Sequence, residues 1–228
     1  FLSKCCHDVD FVLWLIGNDV KTVRSTGFEN HFVPDNAPEG AAKRCLGCSI
    51  EKNCRYSAVD LYLRRRDWVS GFIPAEGETK EDAIMRALKE SRYGRCVYAC
   101  PTDDVIARQV VEIEMPSGVK AEIIMECPTE RDNRVTSIDF ENAVIEGDES
   151  TIKVVYKDGQ EPETYDYSWT KGMEYHAGAD LNIVEDLVGH ILDGDRNVRT
   201  SAQDAVVSHV VCFMAEESRL SGGITLTY

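Results

Sequence analysis

The spacing of apolar residues changes period once along this chain, near residue 105. Ahead of that point helical spacing dominates: Phe11, Trp14 and Leu15 recur behind His7-Asp-Val-Asp10, and Gly17 stands where a helix would end. The pattern predicts a short, largely buried helix over 7–16, with Asp8 and Asp10 in its first turn, where the helix dipole favours carboxylates. A strand fits 21–28. Residues 31–54 show neither period, hold Pro34, Pro38 and three cysteines, and read as one long loop. A helix fits 57–68, and Thr79-Lys-Glu-Asp82 is a capping-box start for another that runs to about Ser91.

Beyond 105 the period is two. Residues 108–115 and 119–127 are rich in Val and Ile and are joined by Pro116-Ser-Gly118, a hairpin signal. Further strands fit 134–140, 151–156, with the turn Lys157-Asp-Gly159, and 163–169. Two helices then close the chain. Leu181, Val184, Leu187, Val188 and Ile191 share one face ahead of Gly194, and Ser201-Ala-Gln-Asp204 caps a helix running to about Leu220. Helices, then strands, then helices predict an α+β fold: an open, mostly antiparallel β-sheet with helices packed on one face. With no repeat and no linker, residues 1–228 read as a single domain.

Composition narrows the classes. The 228 residues are 43% apolar and 29% charged, an ordinary globular balance. Even an apolar run as long as Phe11 to Ile16 falls far short of the roughly 20 residues that a membrane-spanning helix needs. Residues 1–100 carry 14 acidic and 15 basic side chains against 26 and 10 in 101–228, so the net charge of -15 arises in the second part. That field repels phosphate backbones and anionic lipid, which sets nucleic acid and membrane surfaces aside as partners. Arg64, Arg65 and Arg66 read as a solvated helix face. The sequence opens at Phe1 without a signal pattern, and it reads as a piece of a longer protein.

Nine cysteines, an odd number, argue for a reducing compartment, with the cytoplasm as the default location. Cys45-x2-Cys48-x5-Cys54 sets three thiols within ten residues, and Cys96 or Cys100 could add a fourth if that segment folds alongside. Zinc would take such thiolates and staple the loop. The spacing is not a clean pair of CxxC knuckles. Buried thiols packing as small hydrophobes, or a disulfide in an oxidised sample, are the other readings.

Five blocks in order carry a resemblance. Ser3-Lys-Cys-Cys-His-Asp-Val-Asp10 is followed by Leu13-Trp-Leu-Ile-Gly17. Asn36-Ala-Pro-Glu-Gly40 runs into Arg44-Cys45, Cys48, Cys54 and Tyr56-Ser-Ala58. Then come Tyr93-Gly-Arg-Cys-Val-Tyr-Ala-Cys100, His176-Ala-Gly-Ala-Asp180, and Ser201-Ala-Gln-Asp-Ala205 with Ala215-Glu-Glu-Ser218. Together they span nearly the whole chain, and they resemble the C-terminal domain of the Gfo/Idh/MocA oxidoreductases, in a cysteine-bearing branch.

The resemblance implies an NAD- or NADP-dependent enzyme that moves hydride between the nicotinamide and a hydroxyl or carbonyl of a sugar, cyclitol or related polyol. An N-terminal Rossmann domain would bind the cofactor, and this domain would form the substrate side and a homo-oligomer contact through its sheet. No GxGxxG follows a strand in these residues, in keeping with that division. His7 matches the family histidine that assists proton transfer, and is the candidate catalytic residue. Held by Asp8 or Asp10, it would serve structure only. Relatives often carry Asp four residues earlier, where this chain has Ser3. Lys4 reads either as a contact to substrate hydroxyls or as a surface lysine.

His176 and Asp180 match a His-Gly-Gly-Gly-Asp block and are candidates for substrate binding. Here Ala177 and Ala179 replace two glycines, and Asp180 reads also as an N-cap for a helix from Leu181. After Tyr98 the chain departs from its relatives, with one residue inserted and a histidine missing. Two other functions fit the same fold: a non-catalytic sugar-binding or regulatory module, and a glycosidase that uses tightly held NAD.

Overall fold

The computed structural model describes residues 1–28, 31–99, 106–127, 129, 133–170, 176, 178–194 and 201–228. In chain order its regular elements are α1 (Leu2–Ile16), β1 (Thr22–Phe28), α2 (Lys80–Glu90), β2 (Arg108–Glu114), β3 (Lys120–Glu126), β4 (Val135–Asp139), β5 (Ala143–Asp148), β6 (Thr151–Tyr156), β7 (Glu163–Asp166), α3 (Ala179–Asp193), α4 (Ala202–Leu220) and β8 (Leu226–Thr227). The chain divides into two compact units, Phe1–Pro128 with Val207–Tyr228, and Thr129–Val206. The class is α+β, and the strands pair antiparallel in two four-stranded sheets.

In the first unit the sheet order is β3-β2-β1-β8. Val23 lies opposite Ile113, and Val111 opposite both Ser25 and Ile123, so these side chains share one face. Against that face pack Val9 and Leu13 of α1 with Val211 and Ala215 of α4. Each buried Val or Leu contributes about 1.5–3 kcal/mol, and Ala215 less. The Val- and Ile-rich face of 108–127 is thus the interior of this unit. Its opposite face carries Arg24 paired with Glu112 and Lys21 paired with Glu114 at 2.8 Å.

Helix α1 starts at Leu2, five residues ahead of the expected start, and it buries the opposite stripe from the one the apolar spacing suggested. Cys5, Val9 and Leu13, four apart, face the core, while Phe11, Trp14 and Leu15 are exposed. Asp8 and Asp10 consequently fall mid-helix, and no acidic residue occupies the first turn. Both stripes are apolar, and only the one matching the sheet could be buried.

A second core in the same unit gathers Cys45, Ala58, Phe72, Ile84 and Leu88. Thr79 caps α2 as expected, its side chain accepting from Asp82 N while the Asp82 carboxylate accepts from Thr79 N. The helix expected over 57–68 is cut short. Residues Asp60–Arg64 close a π-helical turn, Arg65 N donating to Asp60 O at 2.9 Å, and the chain then takes positive φ at Arg66 (61°) and Trp68 (57°). Arg64 Nε and Arg65 Nε both converge on the Asp60 carboxylate, at 2.8 and 3.0 Å, which tightens that turn.

The second unit is a meander, β4-β5-β6-β7. Strand β5 and the short β8 were not expected, and β7 stops at Asp166, where Ser168–Thr170 turns into a 3-10 helix. Ser201 and Asp204 form the expected capping box of α4, Asp204 N donating to Ser201 Oγ at 3.1 Å. In α3 the apolar face of Leu181, Val184, Leu187, Val188 and Ile191 is exposed. Gly194 ends that helix at φ 67°.

Candidate functional site

The 3.6-residue period of α1 sorts its side chains by role. Ser3, Lys4 and His7 are exposed, and so are Phe11 and Trp14. Residues three and four apart lie together on a helix, so Ser3 and Lys4 are one turn before His7 and Phe11 is one turn after. The Phe11 and Trp14 rings stack with centroids 6.3 Å apart and 24° between planes. This face therefore sets a titratable imidazole and a cationic amine beside an aromatic surface. Sequence reasoning found His7 and Lys4 and took Phe11 and Trp14 for core. The signal available was the same helical spacing: counted from His7 it reaches Phe11 and Trp14, and counted from Cys5 it reaches the buried Val9 and Leu13.

His176 and Asp180 lie in the second unit and do meet. His176 Nδ1 stands 3.0 and 2.9 Å from the two carboxylate oxygens of Asp180. The N-cap of α3 is Gly178, at φ 86° and with no side-chain cap bond, so Asp180 is not the cap. It sits in the first turn, where the dipole favours its charge, and it orients the imidazole. His176 itself takes φ 51°, a left-handed conformation that costs energy outside glycine. Ala177 lies outside the described residues. Each constellation is defined within its own unit. His190 pairs with Asp186 one turn away at 3.5 Å, and His209 is an exposed residue of α4.

Cys45, Cys48, Cys54 and Cys96 are thiols that line one small pocket with Pro38 and Tyr98. Burial foremost, then the nearby sulfurs of Cys96, Cys54 and Cys48, push the Cys45 thiol up, against a lowering backbone hydrogen bond from Ala58. Among the described residues no three His, Cys, Asp or Glu side chains are disposed to hold a metal ion. Of the readings open for Cys45, Cys48 and Cys54, zinc thus finds no support among the described residues, where these side chains share a pocket without being disposed around a metal ion. Cys100 lies outside the described residues. His31, uninformative in sequence, packs edge-on to Phe32 at 5.1 Å beside this pocket's Tyr98.

A dinucleotide cradle is absent from the described residues, for both sheets are antiparallel and a phosphate-binding βαβ turn needs parallel strands. No helix among the described residues is long and apolar enough to cross a membrane.

No family model matches the chain. No curated protein matches it either. Solved structures do. An oxidoreductase from Agrobacterium radiobacter, in complex with NAD+, L-tartaric acid and magnesium, aligns over 98% of this chain and 47% of its own, with a TM-score of 0.57 and 12% identity. Levoglucosan dehydrogenase, in complex with NADH and levoglucosan, aligns over 98% and 48%, with a TM-score of 0.55 and 10% identity. Aldose-aldose oxidoreductase from Caulobacter crescentus, complexed with glycerol, aligns over 98% and 45%, with a TM-score of 0.53 and 10% identity. The chain spans under half the length of these proteins. At such identity what is shared is the fold, and it is the α+β, dehydrogenase-like C-terminal fold that the five sequence blocks imply.

Proposed function

We propose that this chain forms the substrate side of an NAD- or NADP-dependent oxidoreductase acting on a sugar, cyclitol or related polyol in the cytoplasm. The observation that carries the reading is the exposed face of α1, with His7 between Lys4 and the stacked Phe11 and Trp14 rings. Exposed apolar surface beside hydrogen-bonding groups marks binding sites, and a polyol offers apolar C–H faces and hydroxyls together. The bound nicotinamide, held by another domain, would exchange hydride with the substrate carbon. His7 accepts the hydroxyl proton in oxidation and returns it in reduction. Lys4 donates to a substrate hydroxyl. In the second unit, taken by itself, His176 oriented by Asp180 is a separate candidate for holding a substrate hydroxyl.

The chain pairs with a second copy through the outer face of its first sheet in this reading. That face is lined with the Arg24–Glu112 and Lys21–Glu114 pairs, so its contacts would weaken with salt. Light scattering across a salt series reads this directly, and a monomer at all concentrations counts against it.

Ser3 favours a second reading. A hydroxyl one turn before His7 cannot supply the charge of the carboxylate found there in relatives, which suits a non-catalytic sugar-binding module. The test uses the protein joined to its nicotinamide-binding domain, screened for nicotinamide absorbance change with sugars, inositols and sugar acids. Loss of turnover by about 100- to 10,000-fold in His7→Ala, with cofactor binding unchanged, supports the oxidoreductase. Unchanged turnover in that variant removes His7 from the chemistry. Sugar binding without turnover selects the non-catalytic module, and release of a nitrophenol from a glycoside with retained cofactor selects the glycosidase.

A further inference from the structure

We propose that the apolar stripe of α3 is a docking face for a basic amphipathic helix of a partner protein. Leu181, Val184, Val188 and Ile191 follow the three-four-three spacing of a coiled-coil seam, and Leu187 and Leu192 widen it on either side. All six are between 46% and 79% exposed. Single apolar residues on a surface need no partner, but an unbroken stripe along a helix about 22 Å long does.

The helix is turned with its polar side inward. Its half-covered residues are Asp186, Gly189 and His190, which lie away from the stripe, and Asp186 pairs with His190 there at 3.5 Å. Isolated helices of this length are marginal in water and draw their stability from burying an apolar face. Here that face points outward. The stripe joins no core, for among the described residues of 129–206 only Ser150 is buried.

Charge chooses the occupant. Helix α3 carries Asp180, Glu185, Asp186 and Asp193 and no Lys or Arg, and residues 129–206 hold 18 acidic against 7 basic side chains. A second copy laid along the stripe would double that set of carboxylates, and like charges facing each other oppose association. Glu185 flanks the seam on one edge, and Asp180, engaged by His176, flanks it on the other. These are the positions from which coiled-coil partners are selected by charge. A helix with Leu or Ile on one face and Lys or Arg beside it answers both features. Its apolar side chains enter between those of α3, and its cations meet the flanking carboxylates.

The probe is a designed peptide of about three heptads, with Leu at the seam positions and Lys at the flanking ones, titrated into the chain and read by fluorescence anisotropy. One control peptide has Glu in place of Lys, and another has the Lys peptide's composition in scrambled order. The Lys peptide is expected to bind about 10-fold or more tightly than either control, and to weaken as salt rises. Ile191→Asp should lose that binding, and Glu185→Lys should shift preference toward the Glu peptide. Ile73→Asp, at an exposed apolar residue of the first unit, should leave binding unchanged.

Equal binding of all three peptides, binding of none, or binding unmoved by Ile191→Asp overturns the proposal. So does self-association of the chain that Ile191→Asp abolishes, which would make a second copy the occupant. Loss of peptide binding when the chain is joined to its nicotinamide-binding domain overturns it too, since that domain would then cover the stripe. If Ile191→Asp fails to fold, the response of Glu185→Lys to the Lys and Glu peptides still decides. None of these readouts depends on turnover, so a negative result here leaves the oxidoreductase reading untouched.

Discussion

Gly94 presses against the carbonyl of Leu88, and a Cβ built on Gly94 would stand 1.8 Å from that oxygen. Backbone, not a flexible side chain, occupies the space, so the clash cannot be relieved by a rotamer change. Gly94→Ala is expected to lose about 3 kcal/mol of stability in urea unfolding. An unchanged midpoint would mean that α2 and the 94–98 segment separate freely.

The same carbonyl is held from the other side by Arg44. Its Nη2 donates to Leu88 O at 2.6 Å and to Ser91 O at 2.7 Å, taking up carbonyls that the end of α2 leaves without helical partners. Arg44→Met is expected to cost about 2–3 kcal/mol. Arg44→Lys should recover only part of it, because a single ammonium reproduces the two-carbonyl grip poorly. Equal stability of the Lys variant and the unaltered chain would remove the geometric argument.

Stability and chemistry should separate on α1. Leu13→Ala opens a cavity in the first core and is expected to cost about 2–5 kcal/mol. His7→Ala and Lys4→Ala change exposed positions and should fall within about 0.5 kcal/mol of the unaltered chain. Thermal unfolding of all three, run beside the turnover assay, checks this.

Glu78 gives the chain an acid-sensitive joint. Its carboxylate accepts from Arg86 at 2.9 and 2.8 Å and from Ala75 N at 2.9 Å. The Arg86 bonds chiefly, then the Ala75 amide, pull its pKa down to about 2 from an ordinary 4.5. A depressed folded value stabilises the fold above the unfolded value, and that contribution fades as pH falls from about 4.5 through about 2. Glu78→Gln should therefore be less stable than the unaltered chain near neutrality and match it close to pH 2. Parallel denaturation curves across that range would contradict the assignment.

Thiol accessibility offers another check. Cys212 is buried and its pKa is raised to about 12, so in the folded protein it should resist alkylation at mildly alkaline pH. Cys127 is exposed and should react first. Mass mapping after brief alkylation orders the two, and early modification of Cys212 would show that α1 and α4 part readily.

What the sequence disclosed was local. The Thr79–Asp82 and Ser201–Asp204 boxes and the Pro116-Ser-Gly118 turn depend on residues a few positions apart, and all three are present. What it withheld depends on partners far away. Whether Val9 or Phe11 faced inward was decided by Val111 and Ile123, more than 100 residues on. The two-residue β8 exists only because Thr22 and Val23 pair with it. In β5 the alternation is broken by Gly147, which masks a strand set between two partners. Asp180 read as a helix N-cap, but Gly178 takes that place and the Asp180 carboxylate meets the His176 imidazole, a pairing the spacing alone did not single out. The four thiols were legible as a group, yet their shared pocket hangs on the one bridge at Arg44 and Arg95.

Because α1 is fastened by one stripe alone, the other stripe is free of folding duties. Substitutions at Ser3, Lys4, His7, Phe11 or Trp14 can accumulate without removing a buried contact. Under the proposed oxidoreductase reading, reactivity and substrate preference would drift from one descendant to the next while the scaffold persists, and this helix would be the starting point for redesigning what the protein acts upon.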